Sequence, residues 1–143
     1  MAYVQNAKAL ALTNNNLHDE VKAMYFESFA LTTKGLIDSS LSIANQCLNI
    51  LSHKINDSQL KANVQNQKGR CYMRKNQYKE AIDRGYQVID EAEKIKDTIL
   101  QMKGKTLIGW AYLEMGQLKE ALNWHLKALN TTAEIICFII CNE

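Results

Sequence analysis

Apolar residues recur at steps of three and four along most of the chain, a spacing that predicts amphipathic helices. Residues 17–33 are an example, because Val21, Met24, Tyr25, Ser28 and Leu31 all fall on one face. Short polar segments separate each periodic stretch from the next. The pattern therefore predicts an all-α chain of about seven helices, with these approximate bounds: 2–13, 17–33, 37–54, 58–75, 78–95, 98–115 and 118 to about 138.

Residues suited to helix ends lie in the segments between the predicted helices. Asn16 precedes the second helix as a candidate N-cap, since its side chain can accept a hydrogen bond from the first turn. Gly35 and Gly116 follow two helices at the position that favours a left-handed residue. Asn76 occupies the equivalent place in the middle of the chain, and asparagine tolerates this conformation better than most residues.

An internal repeat relates the second half of the chain to its middle. The segment GRCYMRKNQYKEA at 69–81 recurs as GWAYLEMGQLKEA at 109–121, with six of thirteen residues identical. A hairpin of two helices cannot bury its apolar face alone, so repeats of this kind stack on one another. The sequence predicts a single domain over residues 1–143, with a half-repeat at 1–15 and repeats at about 16–56, 57–96 and 97–137.

Small and aromatic residues near each predicted helix turn resemble the tetratricopeptide repeat. The clearest matches are Gly69, Tyr72, Tyr78, Ala81, Gly109, Ala111, Tyr112, Gly116, Ala121 and Ala128. A weaker copy precedes them at Ser28, Ala30, Leu31, Gly35, Ile37, Ser40 and Ala44. The resemblance implies antiparallel helix hairpins in a right-handed superhelical solenoid that binds proteins without catalysing a reaction.

The chain departs from the usual repeat in two respects. Its period is about 40 residues rather than about 34, and it contains no proline. Longer repeats of this kind resemble those of bacterial peptide-sensing regulators, kinesin light chains and cell-polarity adaptors. The carboxylate clamp of chaperone adaptors is matched only at Lys103, so we do not expect the acidic tails of chaperones to bind.

In this family the first helix of each pair lines a concave groove that binds an extended or helical peptide. The resemblance therefore implies a groove formed by these residues: Lys22, Tyr25, Phe26, Phe29, Asn63, Asn66, Gln67, Arg70, Met73, Arg74, Lys103, Thr106, Trp110, Leu113 and Glu114. The main candidates for peptide contact are Tyr25, Phe29, Asn66, Arg70, Met73, Arg74, Lys103 and Trp110. An alternative interpretation places Phe29 and Trp110 in the core between repeats and leaves the two arginines in solvent.

Composition argues against several other classes of function. The net charge is +2 and the basic residues are scattered, so no nucleic-acid interface is predicted. The N-terminus lacks the pattern of a secretory signal, and the longest apolar run, 135–141, is too short to span a bilayer. Four cysteines without metal or redox spacing indicate reduced thiols, and we expect a cytoplasmic protein with no metal and no cofactor.

No arrangement of residues in the sequence indicates catalysis, so we expect no enzyme activity. One alternative from another functional class is a small helical enzyme or phosphotransfer module that uses His125. It requires an exposed His125, whereas a buried ring would remove it. A second alternative makes the chain the peptide-sensing regulatory part of a longer bacterial signalling protein.

The C-terminal segment 133–143 is apolar on nearly all sides, although a terminal repeat needs a polar outer face. The segment either folds back on the last repeat or packs against another molecule. A homodimer through Ile136, Phe138, Ile139 and Ile140 is the preferred interpretation, and a chain cut from a longer array would look the same.

Overall fold

The computed structural model describes residues 6, 9 and 16–141, without the side chains of 134, 135 and 138–141. Over residues 16–141 it contains six helices and no strand. Their bounds are α1 Leu17–Thr33, α2 Ile37–His53, α3 Ser58–Arg74, α4 Tyr78–Lys94, α5 Thr98–Glu114 and α6 Leu118–Cys141. The all-α prediction is confirmed. Residues 6 and 9 are helical and exposed, and the rest of the predicted half-repeat lies outside the described residues.

The first helix of each pair begins at a side-chain cap. Asn16 caps α1 and accepts a hydrogen bond from the backbone N–H of His18 at 3.2 Å, as its position predicts. Asp57 and Asp97 cap α3 and α5, and each accepts from the N–H three residues on, at 2.8 and 2.9 Å. Helices α1, α3 and α5 begin at residues 17, 58 and 98, so these caps set the period of 41 and then 40 residues.

Four helices end in a residue with left-handed backbone. Gly35, Asn76 and Gly116 have φ of 80°, 58° and 74°, which confirms the three positions expected from the sequence. At Asn76 the turn closes with a hydrogen bond from the N–H of Gln77 to the carbonyl of Tyr72, at 2.9 Å. Lys96, which follows α4, adopts the same conformation with φ of 55°, although a lysine does not predict a left-handed residue.

The helices pack as a curved double layer. Each helix contacts the next one along the chain, and α1 also contacts α3 while α3 contacts α5. No such contact joins α2 to α4 or α4 to α6 within the described residues. Because neighbouring first helices are closer than neighbouring second helices, the stack is concave on the side of α1, α3 and α5.

Small residues permit a close helix crossing within the third repeat and another between the second and third repeats. A Cβ added to Gly109 on α5 would lie 2.9 Å from the ring of His125 on α6. A Cβ added to Gly104 would lie 2.9 Å from the carbonyl oxygen of Gly85, because α4 and α5 approach there backbone to backbone. The small residue at 109 thus allows a short distance between the paired helices, as the sequence predicts.

At the crossing of α1 and α2, polar side chains occupy positions that hold small residues in the later repeats. Ser28 and Ser40 stand where the second repeat has Gly69 and Ala81, and their hydroxyl oxygens lie 2.8 Å apart. Gln67 joins them from α3 and donates to the hydroxyl of Thr32 at 2.7 Å. The amide of Gln67 is therefore part of the buried core, with 2% of its surface exposed. The prediction that Gln67 lines the groove is wrong.

Candidate functional site

A cavity of about 470 Å³ lies on the concave face between α1, α3 and α5. This volume lies in the range of natural ligand pockets, about 300–1,000 Å³. Its lining residues are Tyr25, Phe29, Asn63, Asn66, Arg70, Met102, Lys103, Thr106, Leu107 and Trp110. Six of the eight main candidates from the sequence therefore meet in one cavity.

The repeat period places the lining residues in three tiers across the first helices. Phe29, Arg70 and Trp110 are equivalent positions, separated by 41 and 40 residues, and form the first tier. One turn earlier on each helix, Tyr25, Asn66 and Thr106 form the second tier. Lys22, Asn63 and Lys103 form the third, with Lys22 in a smaller cavity of about 170 Å³ that also borders Tyr25.

The first tier presents large side chains to solvent. The guanidinium carbon of Arg70 lies 5.2 Å from the centroid of the Phe29 ring, within the range of cation–π attraction. Phe29 is 39% exposed and Trp110 is 51% exposed. Neither aromatic is therefore a core residue between repeats, contrary to the alternative interpretation, whereas Arg70 and Arg74 are exposed as that interpretation expected.

The charge of the cavity is positive. Arg70 and Lys103 contribute its two cations, and no acidic residue belongs to its lining. Burial raises the pKa of the Tyr25 hydroxyl, while the positive charge of Arg70 partly offsets this shift. Tyr25 is therefore uncharged at neutral pH, and the cavity combines two positive charges with neutral polar and aromatic walls.

Comparison with protein families identifies the architecture. A family model for the tetratricopeptide repeat matches residues 62–83 and 103–133. Both matched segments are therefore tetratricopeptide repeats. Repeats of this family are in general non-catalytic and mediate contacts between proteins. A comparison with curated protein sequences finds no match.

Two main candidates lie outside the cavity of this tetratricopeptide array. Met73 is half-buried and packs against the core cluster that contains Ala81 and Ile108, and Arg74 is exposed one turn beyond Arg70. Leu113 and Glu114, proposed for the same end of the groove, are also absent from its lining. The cavity thus ends at the tier of Arg70, and peptide contacts by Met73 and Arg74 stay a prediction.

The sequence did not single out Met102 and Leu107, which complete the apolar wall of the cavity. Both lie on α5 beside predicted residues, Met102 next to Lys103 and Leu107 three residues before Trp110. Leu107 is almost fully buried and also packs against Gly69 of the neighbouring repeat. The sequence periodicity assigns a single line of residues on each helix to the groove. It misses residues such as these, because the cavity is wider than one such line.

Two of the three histidines, His18 and His125, have capping or packing partners. The ring of His18 lies 2.6 Å from a carboxylate oxygen of Asp57, the cap of α3. His125 is half-buried, and its ring packs against Gly109, so helix packing accounts for its position. Across the described part of the chain, no three histidine, cysteine or acidic side chains converge as metal ligands would. None of the described helices is long and apolar enough to cross a membrane.

Proposed function

We propose that this tetratricopeptide array is a non-catalytic scaffold that binds a peptide segment of a partner protein along its concave groove. The observation that carries the proposal is the tier formed by Phe29, Arg70 and Trp110, three exposed anchor-type side chains drawn from three successive first helices. Aromatic and arginine side chains dominate interface energies in general. A peptide that lies along the groove would contact all three repeats at once, and we expect this to occur in the cytoplasm.

The groove offers a peptide both anchors and hydrogen-bonding groups. Trp110 and Phe29 supply apolar area, while Asn66 is a half-buried amide suited to the backbone of an extended chain. Asn63 is half-buried as well, and its amide N–H donates to the carbonyl of Gln59 at 3.0 Å. Side chains from different repeats act together only if the stack is rigid. Helix α3 contacts both α1 and α5, so the three helices that line the groove form one continuous layer.

Binding can be tested by selecting ligands from a random dodecapeptide library on the full chain. Selected peptides are then measured by calorimetry against Trp110→Ala and against Leu126→Ala, an exposed apolar residue on α6 outside the groove. The proposal expects Trp110→Ala to weaken binding by about tenfold or more and Leu126→Ala to leave it unchanged. Equal affinity of all three proteins would exclude the groove as the binding site.

The regulatory alternative makes the same use of the groove. If the array were the peptide-sensing part of a longer signalling protein, the peptide would still bind across the three tiers. The experiment therefore addresses the binding step of both proposals, and the presence of an output domain in the native gene separates them.

Self-association through the C-terminal apolar segment is a second proposal. Helix α6 has 24 residues, against 17 in each preceding helix, and Ile136 on the added length is 52% exposed. Leu122 and Leu129 on α6 are exposed as well, although the equivalent Ile82 and Ile89 on α4 pack toward α5. The side chains of the other candidates, Phe138, Ile139 and Ile140, lie outside the described residues.

Light scattering at several concentrations tests the dimer. We expect the full chain to show the mass of a dimer and Ile136→Glu to shift it to the monomer. Asn130→Glu places the same charge at another exposed site on α6 and should leave the dimer intact. A monomeric mass for the full chain at all concentrations would exclude the proposal.

A further inference from the structure

We propose that the exposed face of α6 packs against α6 of a second copy of the chain, as an antiparallel pair of helices. This inference rests on the self-association proposed above, since it names the interface and the orientation of the two copies. The interface lies on α6, outside the cavity between α1, α3 and α5, so the groove stays open to a peptide in the dimer.

A continuous line of exposed apolar residues runs along α6, and we call it the α6 seam. Its members are Leu122, Leu126, Leu129, Ala133 and Ile136, separated by four, three, four and three residues. Alternating steps of three and four are the spacing of helices that pair as coiled coils. The four larger side chains are 48% to 61% exposed. Because α6 is already ordered by its packing on α5, pairing along this short seam does not have to form the helix as well.

The stacking of one repeat on the next uses a small residue that α6 lacks. A Cβ added to Gly85 on α4 would lie 3.1 Å from the carbonyl oxygen of Gly104, because α5 approaches α4 closely there. The equivalent residue on α6, forty positions later, is His125. A first helix of another repeat could therefore not approach α6 as closely as α5 approaches α4.

The α6 seam also contains apolar residues at positions where the stacking face of α4 has none. The residues of α4 equivalent to Leu126, Ala133 and Ile136 are Tyr86, Glu93 and Lys96. Helix α4 packs against the next repeat without aliphatic side chains at these three positions. The additional apolar positions on α6 favour a partner helix that is not the first helix of a further repeat.

The charges of α6 favour a second copy of the same helix as that partner. Between Glu120 and Glu134 the sequence contains one lysine, Lys127, and no arginine or acidic residue. The ammonium of Lys127 lies 4.2 Å from the centroid of the Trp124 ring, so this charge lies beside Trp124 rather than in the seam. Two copies of the seam can therefore meet without like charges opposite each other, whereas a charged partner helix would find no complementary group.

The length of α6 indicates the antiparallel orientation. The Thr132 hydroxyl donates to the sulfur of Met102 at 3.1 Å, so these two residues lie at the same level of the α5–α6 pair. Helix α5 begins at Thr98, four residues before Met102, so the end of α6 extends past α5. In an antiparallel pair this projecting end lies along α6 of the second copy, near its Leu122. In a parallel pair it would meet only the other projecting end.

Antiparallel pairing also matches large residues with small ones. The spacing of the seam continues to residue 140, and full overlap of residues 122–140 places Leu126 opposite Ile136 and Leu129 opposite Ala133 of the second copy. A small residue that faces a large one fills the space between two helices. A parallel pair would place Ala133 opposite Ala133 and leave a gap in the middle of the seam.

Charge substitutions in the seam test both the interface and the orientation. We expect Leu126→Lys and Ile136→Glu each to raise the dissociation constant of the dimer by about a hundredfold or more, since each places an unpaired charge in the interface. The double variant Leu126→Lys/Ile136→Glu should return to within about tenfold of the parent, because charges of opposite sign then face each other. The matched control Leu126→Glu/Ile136→Glu places like charges opposite each other and should stay monomeric.

The dissociation constants are measured by light scattering over a range of concentrations. All the substitutions lie at exposed positions, and circular dichroism checks that each variant keeps the helical fold. Recovery of the dimer in the opposite-charge variant alone supports the antiparallel seam. Equal recovery in the like-charge control would overturn it.

The remaining outcomes separate this inference from the self-association proposal. A full chain that is monomeric at all concentrations would overturn both. A dimer that Ile136→Glu breaks and Leu126→Lys leaves intact would keep the C-terminal segment as the interface but overturn the α6 seam. A dimer that both single variants break and the opposite-charge variant does not restore would overturn the antiparallel orientation.

Discussion

The guanidinium of Arg70 on α3 stacks over the ring of Phe29 on α1, with 5.2 Å between the guanidinium carbon and the ring centroid. The two residues are equivalent positions in successive repeats, so the pair bridges the interface between the first and second hairpins. The contact lies at the rim of the cavity rather than in the core. Packing between repeats and the chemistry of the groove therefore meet at one pair of side chains.

Removal of the Phe29 ring should weaken peptide binding through Arg70. Phe29→Ala removes both an apolar wall and the surface that orients the guanidinium, and an exposed cation–π contact contributes about 0.5–1 kcal/mol. We expect calorimetry with a selected peptide to show a loss of about threefold to tenfold. Leu126→Ala, at the exposed apolar residue on α6 outside the groove, is the control and should bind almost as the parent does.

Thr32→Val should destabilise the array more than Thr33→Val. The Thr32 hydroxyl accepts a hydrogen bond from the Gln67 amide at 2.7 Å and donates to the carbonyl of Ser28 at 3.1 Å, inside the core. Valine leaves the buried amide without this acceptor, which costs about 1–3 kcal/mol of unfolding free energy. Thr33 is exposed, so urea unfolding of the two variants should differ by most of this amount. Equal midpoints would contradict the buried network.

Gly104→Ala and Gly109→Ala should both destabilise the third repeat, but a second substitution, His125→Ala, should restore stability only to Gly109→Ala. The added Cβ at 109 meets the ring of His125, whereas the added Cβ at 104 meets the backbone oxygen of Gly85. Overpacking of this kind costs about 1–3 kcal/mol. His125→Ala should recover much of the loss of Gly109→Ala in thermal melts and none of the loss of Gly104→Ala. Recovery in both would contradict the assigned helix crossings.

The stability of the array should fall in acid partly through Asp57. Burial alone would raise the pKa of this carboxyl, but the Leu60 N–H and the His18 ring donate hydrogen bonds to the charged form and bring the pKa below its usual value. A lowered pKa means that the stabilisation is present above the pKa of the unfolded chain and is lost as pH falls through the folded value.

Asp57→Asn isolates this contribution, because asparagine keeps the N-cap and removes the charge. The parent should be more stable than the variant near pH 6, and the difference should shrink between about pH 5 and pH 2. Asp97→Asn changes the equivalent cap of α5, which has no histidine partner among the described side chains, and should show a smaller pH-dependent difference. A constant difference from pH 6 to pH 2 would argue against the Asp57 interaction.

Local signals in the sequence were sufficient to predict where the helices of the array begin and end. Asn16, Gly35 and Gly116 act through neighbours a few residues away, so their roles can be read without the fold. The repeat offset of 40 and 41 residues also assigned the groove candidates to successive first helices, because equivalent positions in stacked hairpins fall side by side. Phe29, Arg70 and Trp110 border one cavity, and their contact with a peptide stays a prediction.

Features that depend on the packing of one helix against several others were missed. Gln67 has the same spacing as groove residues, yet it turns into the core because Thr32 on α1 offers it a partner. Met73 and Arg74 lie on the predicted face, but the cavity ends before them, and its length depends on how the repeats curve. Lys96 ends α4 in a left-handed conformation that lysine rarely adopts, so the residue type did not predict this helix end.

The two tryptophans provide the most direct measurement of where a peptide binds. Trp110 is exposed in the groove, whereas Trp124 on α6 packs edge-on against Tyr86 at 5.5 Å and lies beneath Lys127. In a titration of the isotope-labelled chain with a selected peptide, we expect the indole N–H signal of Trp110 to shift and that of Trp124 to stay in place. A shift confined to Trp124, or a bound peptide that moves neither signal, would contradict binding in the concave groove.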